Sequence, residues 1–173
     1  MNVAYFIATL PNISMGEKPP LTLTEFAAMC RENLDTADAD AAIALVNGDA
    51  NPHPFAISWQ SKETILRNTI TRFRAQRQGV DPSLYLRSVA EADLRAEAAV
   101  TAAFQSRDPL QREYQLDTLR WTLVEELQGY DPLSISVVFA YAVKLRLCTT
   151  WAQRTADAGN AACATLTDIP ITL

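Results

Sequence analysis

Leucine recurs at positions 116, 119, 123 and 127 between an Asp-Pro pair at 108–109 and a glycine at 129. Steps of three and four put all four side chains on one face of a helix. The ends of that helix are marked too. An aspartate accepts from the free N–H groups of a first turn, and a proline at the first helical position has no N–H to leave unpaired. Glycine takes the left-handed conformation that closes a helix. A second Asp-Pro pair at 131–132 restarts the pattern, and Val138, Tyr141, Leu145, Cys148 and Ala152 form the next stripe. Asp108 to Arg154 is therefore expected to be two long helices, made antiparallel neighbours by a short link.

Similar punctuation divides the rest. Thr22 or Thr24 can cap a helix carrying Phe26, Met29, Cys30 and Leu34, and a short helix follows from Thr36 to Val46, ended by Asn47-Gly48. Prolines 52 and 54 make an irregular link, because each pushes its predecessor out of helical space. Ile57 to Gln78 reads as a long helix with Trp59, Leu66, Ile70 and Phe73 on one face; Gly79 ends it, and Asp81-Pro82 opens another from Ser83 to Phe104. The run from Val3 to Leu10 is rich in β-branched and aromatic residues and stopped by Pro11, which favours an extended segment. The tail from Gly159 to Leu173 is expected to be extended as well, and to lie beside that run. The expectation is an all-α fold in one domain over residues 1–173, an antiparallel bundle of about six helices with extended ends that pair. Gln-Gly-x-Asp-Pro occurs at 78–82 and again at 128–132, but the flanks do not align, so both copies read as helix punctuation rather than an internal repeat.

The chemistry of many enzyme classes is missing. There is no glycine-rich phosphate loop and no dinucleotide fingerprint. The one histidine, His53, sits between two prolines, with no clustered cysteines to complete a metal site and nothing to place a nucleophile beside it. Glu125 and Glu126 are adjacent on a helix, so they point in different directions and cannot share a substrate proton. No catalytic, cofactor-binding or metal-binding residue is assigned, and no cofactor is expected. A net charge of −5 argues against nucleic acid as a partner. The apolar run from Ile135 to Val143 falls far short of the roughly 20 residues that cross a bilayer. The N-terminus has no basic lead-in and is not read as a signal peptide. Three cysteines without a Cys-x-x-Cys pair suggest reduced, cytosolic thiols, with Cys30 and Cys148 as small core residues.

The polar residues are more informative. Lys62, Arg67, Arg72, Arg74 and Arg77 make one helix basic in an acidic chain. They either pair with Glu91, Asp93, Glu97, Glu125 and Glu126 or form a surface for an acidic protein. Glu113, Asp117 and Arg120 are spaced to pair along one face. Arg120 lies so near the leucine stripe that an internal charged network is expected there. Trp121 points away from the stripe and is expected to face a partner.

These stretches resemble a bacterial domain-of-unknown-function family encoded in V/A-type ATPase operons. Tyr5 to Pro11 resembles its aromatic–aliphatic start ending in Ser/Thr-Leu-Pro, and Lys18-Pro19-Pro20 with Glu25-Phe26 and Cys30 resembles its second segment. Leu66-Arg67-Asn68 with Arg74-Ala75 is similar to its central helix. Leu119-Arg120-Trp121, Glu125-Glu126-Leu127, Ala140 to Leu145 and Trp151 are similar to its hairpin. Thr149-Thr150, where the family tends to carry a charge, and the corner at Gly129 to Pro132 depart from it. The resemblance implies a non-catalytic subunit or accessory protein of a rotary ATPase engaged in proton or sodium transport. It implies a stand-in for the central-stalk subunit (C in prokaryotic naming, d in eukaryotic) that seats the rotor shaft on the membrane ring. Its partners would be ATPase subunits. Its place would be cytoplasmic, peripheral to the inner membrane, with membrane association only through the complex. For that role Arg67, Arg74, Arg120 and Lys144 are the candidates for a polar socket, with Trp121 and Tyr141 as anchors, since Trp, Tyr and Arg dominate interface energy. The alternative is a helical peptide-binding chaperone for enzyme maturation. Its acidic-proline-aspartate-histidine motif is absent, His53 being preceded by Asn51-Pro52.

Overall fold

The computed structural model describes residues 3–88 and 94–167. Its elements run α1 (Val3–Thr9), α2 (Leu23–Asn33), α3 (Thr36–Asn47), α4 (Pro54–Gln78), a 3-10 turn (Ser83–Tyr85), α5 (Leu94–Ala103), α6 (Pro109–Gln128), α7 (Ser136–Gln153) and α8 (Ala156–Thr167). The fold is all-α, with no strand among the described residues.

Local chemistry sets most boundaries. Thr22, rather than Thr24, caps α2 in a reciprocal box: its hydroxyl accepts from the Glu25 N–H (3.2 Å) and the Glu25 carboxylate accepts from the Thr22 N–H (2.8 Å). Asp35 caps α3, and Gly48, at φ 82°, closes it. The ring of His53 caps α4, its Nδ1 accepting from the Phe55 N–H at 3.1 Å. That cap starts the helix at Pro54, three residues before the expected Ile57. Asp108 caps α6 as its position predicts, and Gly129 ends it.

Four expectations need correction. Val3–Thr9 is a helix, not an extended segment. Val3, Phe6, Ile7 and Leu10 fall at i, i+3, i+4 and i+7, and all four face the core, while Tyr5 between them is 69% exposed. Packing of that stripe outweighs the β-propensity of its members. At the other end, 156–167 is helical, so the proposed pairing of extended termini does not form over the described residues; residues 168–173 lie outside them. Ser83 to Phe104 is not one helix either. After a single 3-10 turn the chain extends through Leu86, and Asn68 of α4 holds both backbone groups of Arg87: its Oδ1 accepts from the Arg87 N–H (3.0 Å) and its Nδ2 donates to the Arg87 carbonyl (2.7 Å). Among the described residues the next helix is α5, from Leu94; residues 89–93 lie outside them. Finally, Asp131 does not cap α7. Each Asp-Pro step forms the same local bond, the aspartate accepting from the N–H two residues on at 2.9–3.0 Å. Only at Asp108 does a helix follow at once; after Asp131 comes a turn, and α7 begins at Ser136.

Two apolar clusters hold the helices. The larger joins α1, α2, α3 and α7 to the start of α4 and the end of α6, around Phe6, Phe26, Leu45, Phe139 and Leu145. α3, with six buried residues, is apolar nearly all round because it lies between α2 and α7. The smaller cluster joins the rest of α4 to α5 and α6 through Leu66, Ile70, Val100, Ala103, Phe104 and Leu116. The long helices serve both. α4 gives Phe55, Ala56 and Trp59 to the first and Leu66, Ile70 and Phe73 to the second; α6 gives Leu116 and Leu119 to the second, Val124 and Leu127 to the first.

Candidate functional site

Where α4 and α6 change from one cluster to the other, their inward positions are charged. Glu63 of α4 lies between Trp59 and Leu66, and Asp117 and Arg120 of α6 lie between Leu116 and Val124. The Arg120 guanidinium donates to Glu63 through Nε (2.9 Å) and Nη2 (3.2 Å), and to Asp117 Oδ1 through Nη1 (2.8 Å). The other Asp117 oxygen accepts from the Trp151 indole N–H at 2.9 Å, with Arg154 at 3.6 Å. Glu63 accepts in addition from Arg67 Nε at 2.7 Å. Asp117 is only 5% exposed. A buried carboxylate is tolerated where such bonds meet its lone pairs.

Electrostatics agree with the geometry. Burial by itself would raise the Glu63 pKa; the bonds and charge of Arg120, then those of Arg67, overcome it and hold the carboxyl below its ordinary value. Burial likewise works against the charge on Arg120, and Glu63 and Asp117 overcome that and raise it. Both groups are therefore ionised.

This seam is the base of a cleft of three adjoining recesses, all bordered by Arg67. One, of about 120 Å³, lies between the C-terminal end of α3, α4, Arg87 and Arg146. A second, of about 320 Å³, runs past Arg74, Tyr85 and Arg120. The third, of about 240 Å³, lies against α7, with Arg146 and Arg154 on its wall. Arg67, Arg74, Arg87, Arg120, Arg146 and Arg154 thus line three recesses that meet at Arg67, in a chain whose net charge is −5. Arg87 is aimed there by the Asn68 clamp on its backbone. Arg146 lies flat against Gly48, so close that a Cβ at that position would overlap its guanidinium. Neither makes an ion pair among the described residues.

The six residues singled out from sequence separate into three groups. Arg67, Arg74 and Arg120 line the second recess together. Arg120 is half-buried and held in the internal network, as expected, while Arg67 and Arg74 stay more than half exposed, each beside one carboxylate (Glu63 and, at 4.0 Å, Glu113). Trp121 and Lys144 form a separate unit in which Glu125 accepts from both the indole N–H and the ammonium at 2.9 Å, and the ammonium sits 4.7 Å from the ring centroid. Tyr141 is in the core, its ring stacked on Phe26 at 5.5 Å. Its hydroxyl is buried without a hydrogen-bond partner among the described residues, and burial pushes its pKa up to about 12. Beside it a groove of about 210 Å³ runs along Ile7, Leu10, Ile13, Val137 and Lys144.

Sequence reading missed Arg87, Arg146 and Arg154 as cleft residues, and Glu63 and Trp151 as members of the network. One signal was available. Asn68 sits among Leu66, Thr69 and Ile70, and an amide on a buried face needs a backbone partner. Glu125 and Glu126 do not act together: the first serves Trp121 and Lys144, the second Arg95 (3.0 Å) and Lys62 (3.8 Å).

Chemically the cleft suits the binding of an anion. Among the described residues no three His, Cys, Asp or Glu side chains converge to hold a metal ion, and no helix is long and apolar enough to cross a membrane. The Cys30 thiol is pushed up to about 12 by burial, against the weaker pull of Arg31, and Cys148 donates to the Ser14 carbonyl at 3.3 Å. No family model, curated protein or solved structure matches this chain.

Proposed function

We propose that this chain is a non-catalytic subunit or accessory protein of a bacterial V/A-type ATPase, a coupling component of the central stalk between rotor shaft and membrane ring. The resemblance along the chain gives the reading its name. The observation that carries it is the arginine-lined cleft built on a buried ion network. A coupling part needs a rigid body with a polar socket, and here exposed cations stand on a base fixed by charge-assisted hydrogen bonds. The test is purification of the tagged chain from native membranes. Stalk and ring subunits should come with it, and an intact ATPase that leaves the tagged chain behind rules the reading out.

One observation favours the second reading, a helical chaperone that holds a peptide: the groove beside Tyr141, lined by Ile7, Leu10, Ile13 and Val137 together with the polar Asn12, Gln128 and Lys144. Saturable binding of an apolar signal-type peptide, lost in Ile7→Glu, would support it over the first. A flat titration removes it.

A further inference from the structure

We infer that the recess between the end of α3, α4, Arg87 and Arg146 seats a carboxylate from an acidic segment of a protein partner. The inference rests on the stalk reading only for who the partner is; the chemistry follows from the recess itself.

Three guanidinium groups border it. Arg67 spends only its Nε on Glu63, so its two terminal nitrogens make no hydrogen bond among the described residues. Arg87 and Arg146 make no side-chain hydrogen bond there at all. Glu63 is engaged, each of its oxygens accepting from Arg120. Asp49, on the rim, lies within ion-pair distance of no cation among the described residues. Three positive charges against two negative ones leave a surplus of a single charge, which matches one carboxylate. Arginine presents paired N–H groups in the plane that a carboxylate needs. The floor, made by Leu45, Ala56 and Trp59, is apolar and suits the methylenes of a glutamate or an aliphatic neighbour.

Phosphate fits less well. Phosphate sites collect the N–H groups of a helix N-terminus. The helix end beside this recess is the C-terminus of α3, at Gly48, which offers no free N–H groups and opposes an anion in proportion to its charge, a doubly charged phosphate more than a carboxylate. At about 120 Å³ the recess by itself is well below the roughly 300–1,000 Å³ of small-molecule sites and fits a single side-chain group better than a nucleotide.

The test is fluorescence anisotropy with a labelled peptide of alternating glutamate and leucine, at low salt, on the full chain. Saturable binding is expected, with Arg87→Glu and Arg146→Glu each weakening it at least about tenfold. Arg31→Glu on α2, which carries the same charge change outside the three recesses, should leave it unchanged. A peptide with glutamine in place of glutamate should not bind. Equal binding of the glutamine peptide, equal weakening by Arg31→Glu, or displacement by tripolyphosphate at lower concentration than by free peptide each overturns the inference. Thermal melts of each variant show whether lost binding is lost folding; a variant that melts early is replaced by Arg146→Gln, for which a several-fold loss is expected and unchanged affinity counts against the site. In the membrane purification, wild type recovering ATPase subunits while Arg146→Glu does not supports both readings. Equal recovery removes the carboxylate seat and leaves the stalk role standing. Wild type recovering none removes the stalk role, and the peptide titration alone then decides on the seat.

Discussion

Around Phe139 the helices meet through small side chains; around Leu116 they meet through leucine, phenylalanine and the stems of arginines. In the first region Ala39, Ala41 and Ala42 of α3 face Ala140 and Ala142 of α7 in one cluster, which lets backbones approach closely. Rings fill what remains, with His53 and Phe55 at 4.6 and 5.3 Å from Phe139. In the second region the apolar layer is thin and its rim is cationic. Phe104 packs on Phe73 at 4.5 Å and lies under Arg112 at 4.8 Å and Arg74 at 5.9 Å. Both regions have an apolar interior, but one is closed by hydrocarbon and the other by snorkelling side chains. The difference places the cleft: charged groups can be exposed only where the layer beneath them is thin.

That contrast can be broken by mutation. The largest effect is expected at Phe139→Ala, about 3–5 kcal/mol by urea denaturation, because the ring is fully buried among rings that cannot collapse into its space. A cost near 1 kcal/mol would mean that the first region is loosely packed and the contrast false. Asp117→Ala should cost about as much, roughly 3–5 kcal/mol, but for another reason: removing this buried carboxylate leaves Arg120 with one partner fewer and the Trp151 indole with none. If it is tolerated as an ordinary surface change, within about 0.5 kcal/mol, the seam is wet and the ion network does not support the cleft. Next comes the leucine stripe. Leu123, 5% exposed, should cost about 2–5 kcal/mol when truncated to alanine, and half-buried Leu119 clearly less. The reverse order would turn α6 by a position.

The smallest effect concerns pH. Glu63 has a folded pKa below its ordinary value of 4.5, so it contributes stability above that value, which is lost as the pH falls through the folded one. Chemical denaturation from pH 7 to pH 3 should show Glu63→Gln less stable than wild type at neutral pH, with the two curves converging in acid. Glu25 and Asp81 are also held low by cap hydrogen bonds, but they titrate in both proteins and cancel in the comparison. Parallel curves would mean that Glu63 is not held by Arg120.

Much of the hairpin was legible because its signals are local. Asp108, Pro109 and Gly129 act within a turn of where they stand, and stripes of leucine and valine follow the helix period. Three errors share a cause. Val3 to Leu10, Ser83 to Arg87 and Asp131 to Ile135 are short, and in each a contact or turn decides against the local preference: the core stripe under α1, the Asn68 clamp, and the Asp-Pro turn. The cleft was half legible. Arg67 and Arg74 could be singled out because they make one helix basic in an acidic chain, and Arg120 because it lies beside the leucine stripe. Arg87 and Arg146 could not, since the 58 residues between them (88–145) say nothing about their meeting at Arg67. Only the folding of α7 against α3 and α4 brings them to one recess.

The Glu63–Arg120–Asp117 bridge has one more consequence, for alignment. Hydrocarbon packing alone tolerates a helix that slides or turns, since one leucine can take another's place. A pair of helices carrying complementary charges at a single level has no such freedom. Sliding α6 along α4 by one turn, about 5.4 Å, would strand both carboxylates in the apolar layers on either side. The bridge therefore works as a key cut into the joint between α4 and α6. It fixes their register, and with it the spacing of Arg67 from the arginines across the cleft.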